Sequence, residues 1–161
     1  MMKEVEVAAR SLRIELQPAE VGFSVGIGGQ SSNSASHAKV GGAFSWATRG
    51  RADGLVVLPA LVFGENPRYV AELALKRGLP SIFWRADFAE VGGFMTYGAK
   101  ETEQFRRAAY FVDKILKGAK PEELPVERPK KFELVINLKT AKEIGITIPP
   151  RVLAWADKVV K

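Results

Sequence analysis

At 161 residues, 47% of them hydrophobic, the chain is long enough for one domain with a real core, or two small lobes at most. The absence of cysteine excludes disulfides, thiolate catalysis and Cys-ligated zinc, and no apolar run approaches the roughly 18 residues that span a bilayer. The net charge of +6 is scattered among acids rather than gathered into a basic block with exposed aromatics, so it reads as a solvated surface and not as a nucleic-acid face.

The start, Met1-Met2-Lys3-Glu4, is charged from the third position and lacks an apolar export segment, so the chain as written is expected in the cytoplasm. Val5, Ala8, Ala9 and Leu12 then recur at the spacing of an amphipathic helix over residues 2–12. Arg13 to Gln17 alternates as a strand, which Pro18 ends. Val21 to Gly29 reads as a weak glycine-containing strand, and the Ser/Asn run from Ser31 as a loop. Gly26, Gly28 and Gly29 do not have the G-x-G-x-x-G spacing of a phosphate loop. The single histidine, His37, sits in that polar run as a solvated residue, which leaves a Ser-His-Asp triad without its base.

Regularity begins at residue 43. Ala43 to Arg49 is a short helix, and Asp53 to Pro59 an apolar run of strand length, expected to be covered on both faces. Phe63 and Gly64 fall in the loop beyond it. Asn66 caps the next helix, Pro67 takes its first position, Val70, Leu73 and Ala74 face inward, and Gly78 stops it. Pro80 to Trp84 is a second buried strand, Arg85 to Val91 a helical turn broken by Gly92-Gly93, and Phe94 to Gly98 a third short strand. The helix from Glu101 to Lys117 places Phe105, Ala108, Ala109, Val112, Ile115 and Leu116 on one stripe, with acids in its first turn and lysines in its last. Pro121, Pro125 and Pro129 make residues 119–131 an extended connection.

A strand follows from Phe132 to Leu138, with Phe132, Leu134, Ile136 and Leu138 on the buried side. Asn137 or Thr140 caps a short helix, Thr140 and Glu143 have capping-box spacing, and Gly145 is the left-handed stop. Pro149-Pro150 opens a last helix, with Val152, Leu153, Ala156, Val159 and Val160 inward. The succession of strand, helix and strand with short links predicts an α/β fold on a parallel sheet.

Several of these runs together resemble one family. They are Arg106-Arg-Ala-Ala-Tyr-Phe-Val-Asp-Lys-Ile-Leu-Lys-Gly118, Lys131-Phe-Glu-Leu-Val-Ile-Asn-Leu-Lys-Thr-Ala-Lys142, Thr147-Ile-Pro-Pro150, Gly92-Gly-Phe-Met-Thr-Tyr-Gly98 and Ala52-Asp-Gly-Leu-Val-Val-Leu58. In this order they are similar to the C-terminal part of the substrate-binding proteins of ABC-type importers, in the tryptophan- and tyrosine-type branch. The resemblance covers residues 1–19 and 43–161 and leaves 20–42 unmatched, a loop or a substitute strand in an otherwise single domain. It implies a Rossmann-like three-layer parallel sheet, the C-terminal lobe of a type I periplasmic-binding fold, truncated. Relatives carry an export signal, a first lobe and a first strand of the second lobe that have no counterpart here, and they work outside the cytoplasm.

The function implied is non-catalytic: capture of a small amino-acid-like or organic molecule for an ABC permease, with no cofactor, metal or catalytic residue. Ligands in such folds sit at the carboxyl ends of the strands, which here means Phe63, Trp84, Arg85 and Tyr97. Trp84 and Tyr97 are placed to stack on a ligand, and Arg85 to pair with a carboxylate. Read as plain structure, Trp84 is core, Arg85 a surface residue and Tyr97 packing. The alternative function is a stand-alone structural or interaction protein, a homo-oligomer that pairs through the incomplete sheet without transporting a solute. A sheet lacking its central strand needs residues 21–29, or a second chain, to satisfy the open backbone groups. A nucleotide-using α/β enzyme is disfavoured, because no strand end carries a Gly-rich loop, an acidic pair or a nucleophile with its base.

Overall fold

The computed structural model describes residues 2–19, 21 and 33–161, the side chains of 33–36 excepted. The expected substitute strand at 21–29 lies outside the described residues apart from Val21, which belongs to no element. The chain divides into two compact units, Met1–Asp53 and Gly54–Lys161.

In the first unit, helix α1 (Met2–Leu12) follows its periodicity, with Ala9 buried. The strand expected at 13–17 does not form. Arg13 turns the chain at φ 57°, and residues 14–19 form no ladder with any described residue, because alternation makes a strand only where a neighbour supplies the ladder. The second helix is longer than its apolar residues alone indicated: α2 runs Asn33–Arg49 and takes in His37 and much of the polar run read as loop. Val40, Phe44 and Ala47 are its buried positions, spaced at four and three residues, and that packing outweighs the weak helix preference of Ser and Asn.

The second unit is built on five strands in sequence order: β1 (Leu55–Val56), β2 (Ser81–Phe83), β3 (Met95–Ala99), β4 (Phe132–Asn137) and β5 (Lys158–Val160). β1, β2 and β3 are parallel, β4 runs antiparallel to β3, and β5 is parallel to β4. The helices between them are α3 (Leu61–Gly64), α4 (Pro67–Lys76), α5 (Asp87–Glu90), α6 (Glu101–Leu116), α7 (Leu138–Glu143) and α8 (Pro150–Leu153). The sheet is thus mostly parallel, as the succession of elements requires, with one reversal at β3–β4.

Caps and stops fall where the residues place them. The Asn66 side chain accepts from the Tyr69 amide at 3.1 Å, Pro67 opens α4, and Gly78 follows at φ 62°. Asn137 rather than Thr140 caps α7, accepting from the Thr140 amide at 3.0 Å. Thr140 instead donates its hydroxyl to the Gly92 carbonyl at 2.9 Å, which ties α7 to the turn after α5. Phe94, Ile136, Ala141 and Ile148 form one buried cluster, with Leu134, Ile144, Ile146 and Leu153 packed against it.

Four expectations need correction. Asp53–Pro59 is covered on one face only, since β1 is a two-residue edge strand and Val56 is 62% exposed. Phe132 is exposed, and burial on β4 sets in at Val135, Ile136 and Asn137, where both faces are covered. Leu138 has already left the strand as the first residue of α7. The last helix stops at Leu153, and Val159 and Val160 join the sheet as β5. Two adjacent β-branched residues suit a pleated ladder, and Asp157 fixes the turn by accepting the Leu134 amide at 2.8 Å.

Thr96 on β3 is fully buried, level with Phe83 and Val135, and its Oγ1 has no hydrogen-bond partner among the described residues. A buried hydroxyl without a partner costs about 1–3 kcal/mol relative to an apolar group of the same shape. Thr96→Val is therefore expected to raise stability by about 1 kcal/mol, read from the denaturant midpoint. A loss of that size instead would mean that the hydroxyl has a partner.

Candidate functional site

The carboxyl ends of β1, β2 and β3 lie along one edge of the sheet, because these three strands are parallel. β2 ends at Phe83, so Trp84 and Arg85 emerge at that edge, at the turn into α5. Phe83 stacks flat on Phe88 at 4.5 Å, and the Trp84 ring tilts against the same Phe88 at 4.8 Å. Phe88 is fully buried, so it acts as the floor on which Trp84 is held half-exposed.

Arg85 is held from two directions. Its Nε donates to Asp87 Oδ1 at 2.7 Å and its Nη2 to Asp87 Oδ2 at 2.6 Å, a bidentate fork across the turn. The same Nη2 donates to the Gly64 carbonyl at 3.3 Å, which fastens the end of α3 to the end of β2. The Asp87 hydrogen bond pushes the Arg85 guanidinium above its ordinary value, against the opposing effect of burial, so the charge is permanent. Nη1 keeps both its N–H donors without a partner among the described residues.

Two glycines shape this corner. A Cβ on Gly64 would stand 3.6 Å from the Trp84 ring and 3.7 Å from Arg85 Nη1, so the α3 turn lies directly against both side chains. A Cβ on Gly98 would stand 2.7 Å from the Trp84 carbonyl carbon and nearer still to its oxygen. Only a glycine lets β3 come that close to the Trp84 backbone.

The structure therefore brings together Trp84, Arg85 and the turn that carries Phe63. Phe63 lies within α3 rather than in a loop, half-buried, one residue before Gly64. Tyr97 is on the same edge and 55% exposed, but its ring stacks on Phe132 of β4 at 5.7 Å and makes no ring contact with Trp84. The sequence reading missed the Asp87 clasp, the Phe88 floor and the Gly98 approach. Gly98 did carry a signal, since a glycine inside a strand pattern marks a close backbone approach.

The site is an open corner and not a closed cavity. An apolar depression of about 440 Å³ lies elsewhere, lined by Leu138, Ile146, Ile148 and Leu153 at the rim of the buried cluster. Among the described residues, no three His, Asp or Glu side chains cluster as metal ligands. No described helix is long and apolar enough to cross a membrane. What the corner offers chemically is an aromatic face, a fixed positive charge and two free N–H donors.

Comparison with known proteins agrees with this architecture. The family described as "ABC transporter substrate binding protein" matches residues 44–160. Curated protein sequences give no match. A conserved domain protein from Vibrio cholerae superposes with a TM-score of 0.79 at 22% identity, over 98% of this chain and 49% of that one. A Streptococcus pneumonia ABC domain in complex with L-Trp gives 0.78 at 24% identity, over 99% and 49%. CD0873, a substrate binding protein with adhesive properties from Clostridium difficile, gives 0.61 at 17%, again over 99% and 49%. The chain thus spans about half the length of each of these structures and shares their fold. With the family matched over most of its length, the chain belongs to the substrate-binding proteins of ABC transporters.

Proposed function

We propose that this chain is the solute-binding component, or half of one, of an ABC-type importer, and that it takes a small aromatic or amino-acid-like molecule without chemical conversion. The observation that carries the reading is the Trp84–Arg85 corner. An indole face and two unsatisfied guanidinium donors stand together at the carboxyl edge of a parallel sheet, where such folds take ligands. The L-Trp in the pneumococcal neighbour supports an aromatic amino acid as the first ligand to try. In this reading Trp84 stacks on the solute, Arg85 Nη1 takes a carboxylate oxygen, Tyr97 and Phe63 border the site, and a permease receives the cargo.

Thermal-shift titration with L-tryptophan, other amino acids and small organic acids tests it. Stabilisation follows RT ln(1 + [L]/Kd), about 1.4 kcal/mol at ten times Kd, so even millimolar binding registers. A shift is expected with an aromatic amino acid, and its loss in Trp84→Ala and Arg85→Ala. An unchanged shift in both variants would sink the assignment of the site.

A second reading is favoured by one observation. Among the described residues β1 pairs on one side only, and Val56 is exposed at that edge, where a second chain could add a strand. In that case the protein self-associates through the incomplete sheet and acts as a structural or interaction module.

A further inference from the structure

The charge of Arg85 is largely engaged before any ligand arrives. Nε and Nη2 hold the two carboxylate oxygens of Asp87 at 2.7 and 2.6 Å, and Nη2 also donates to the Gly64 carbonyl at 3.3 Å. What is left among the described residues is Nη1 alone. A fork on a carboxylate needs two nitrogens side by side, and the neighbour of Nη1 is taken. Nη1 can therefore give a ligand single hydrogen bonds but not the bidentate grip that makes arginine selective for carboxylates.

The electrostatics point the same way. Only 29% of the Arg85 side chain and 39% of that of Asp87 are exposed, so water screens the pair incompletely and each charge cancels much of the other's field. Glu101, two residues beyond the end of β3, is a second carboxylate that favours the charged guanidinium. The Gly64 carbonyl turns the negative end of its dipole to the same group. One cation thus faces two carboxylates and a carbonyl, which leaves little attraction for an incoming anion.

We propose that this corner recognises a single acceptor oxygen beside an aromatic ring, uncharged as in an amide or ketone as readily as in a carboxylate, and that Asp87 sets this indifference to charge. This rests on the Trp84–Arg85 site proposed above and adds the class of group that the site takes. The distance between ring and oxygen is short. Phe88, against which Trp84 packs at 4.8 Å, also has the Arg85 guanidinium 5.8 Å from its ring centre, so the indole face and the Nη1 donors share one support.

The test sets indole-3-acetate against indole-3-acetamide, which share a ring and an acceptor oxygen and differ by one charge. Both are titrated calorimetrically at neutral pH into the wild type, Asp87→Asn and Trp84→Ala. In the wild type the two Kd values are expected to agree within about threefold. Asp87→Asn keeps an oxygen for one Arg85 donor but removes the cancelling charge, so the acetate is expected to bind about tenfold tighter than the acetamide, the difference between a charged and a neutral hydrogen bond. If Asp87 were only a staple, its replacement would lower the melting temperature and leave that ratio unchanged. An unchanged ratio in a folded Asp87→Asn, or a preference for the acetate of about tenfold already in the wild type, would overturn the proposal and leave the site standing. The wild-type ratio decides alone if Asp87→Asn does not fold. Equal binding of both probes to the wild type and Trp84→Ala would remove the site, and the proposal with it. Binding of neither probe at millimolar concentration also overturns the proposal, and the L-tryptophan titration then tells whether the site falls too.

Discussion

Gly98→Ala is expected to unfold the second unit or cost it at least about 3 kcal/mol, the upper range for overpacking, because the added methyl has nowhere to go. The methyl would stand 2.7 Å from the Trp84 carbonyl carbon, and the obstacle is backbone, which cannot rotate aside. Moving β3 away would break its ladder with β4, where Gly98 pairs with Glu133. A fall in Tm of more than roughly 10 °C, or loss of soluble protein, is the expected readout. Gly64→Ala is the control: its methyl would make ordinary contacts at 3.6 and 3.7 Å, so stability should hold. A Gly98→Ala protein that melts within about 2 °C of the wild type would show that β3 and Trp84 do not approach this closely.

Asn137→Ala is expected to cost about 2–4 kcal/mol. Two losses add. The N-cap to the Thr140 amide contributes about 1 kcal/mol, and the buried Ala89 carbonyl, which accepts from Asn137 Nδ2 at 2.8 Å, is left with only the longer bond from the Gly92 amide at 3.4 Å, a loss of about 1–3 kcal/mol. For a unit of this size the sum corresponds to a fall of roughly 10–20 °C in Tm. Asn137→Ser keeps a capping oxygen but cannot reach Ala89, so it should recover about 1 kcal/mol of the loss. If Ser and Ala melt alike, the cap contributes nothing and the Ala89 bond carries the whole effect.

Asn137 also marks how far the sequence could be read. Its capping role was legible, because an Asn three residues before an amide donor, at the end of an apolar alternation, has few other uses. Its bond to Ala89 was not, since it joins positions far apart in the chain. The same division runs through the rest of the molecule. α4, with Asn66, Pro67 and Gly78, was readable from local chemistry alone. The stripe on α6 was readable as a stripe, but periodicity tells which face is apolar and not what lies on it. Residues 13–17 alternate correctly for a strand, yet a strand is a relation between two segments, and no partner is there in the described chain.

At the candidate site, Trp84 and Arg85 were identifiable from residue type and from their place at a strand end. The Asp87 fork was not, because a pairing two residues apart across a strand-to-helix turn belongs to no regular period. This bears on specificity. Arg85 looks from sequence like a whole guanidinium for a ligand, whereas most of its donors hold the corner together. Around α6, the Arg107 guanidinium likewise draws the Glu127 carboxyl below its ordinary value, and both charges are occupied with each other.

The reversal between β3 and β4 has a consequence for how the molecule comes apart. Ala99 and Phe132 face each other across the ladder, and the Lys100 amide meets the Lys131 carbonyl one step further out. Residues 100–131 are therefore an excursion from a closed hairpin stem: the chain leaves and returns at the same point. Such a segment can fray, swing or melt while costing the sheet only its outermost rung, so α6 is mechanically a tethered arm and the sheet a separate cooperative body.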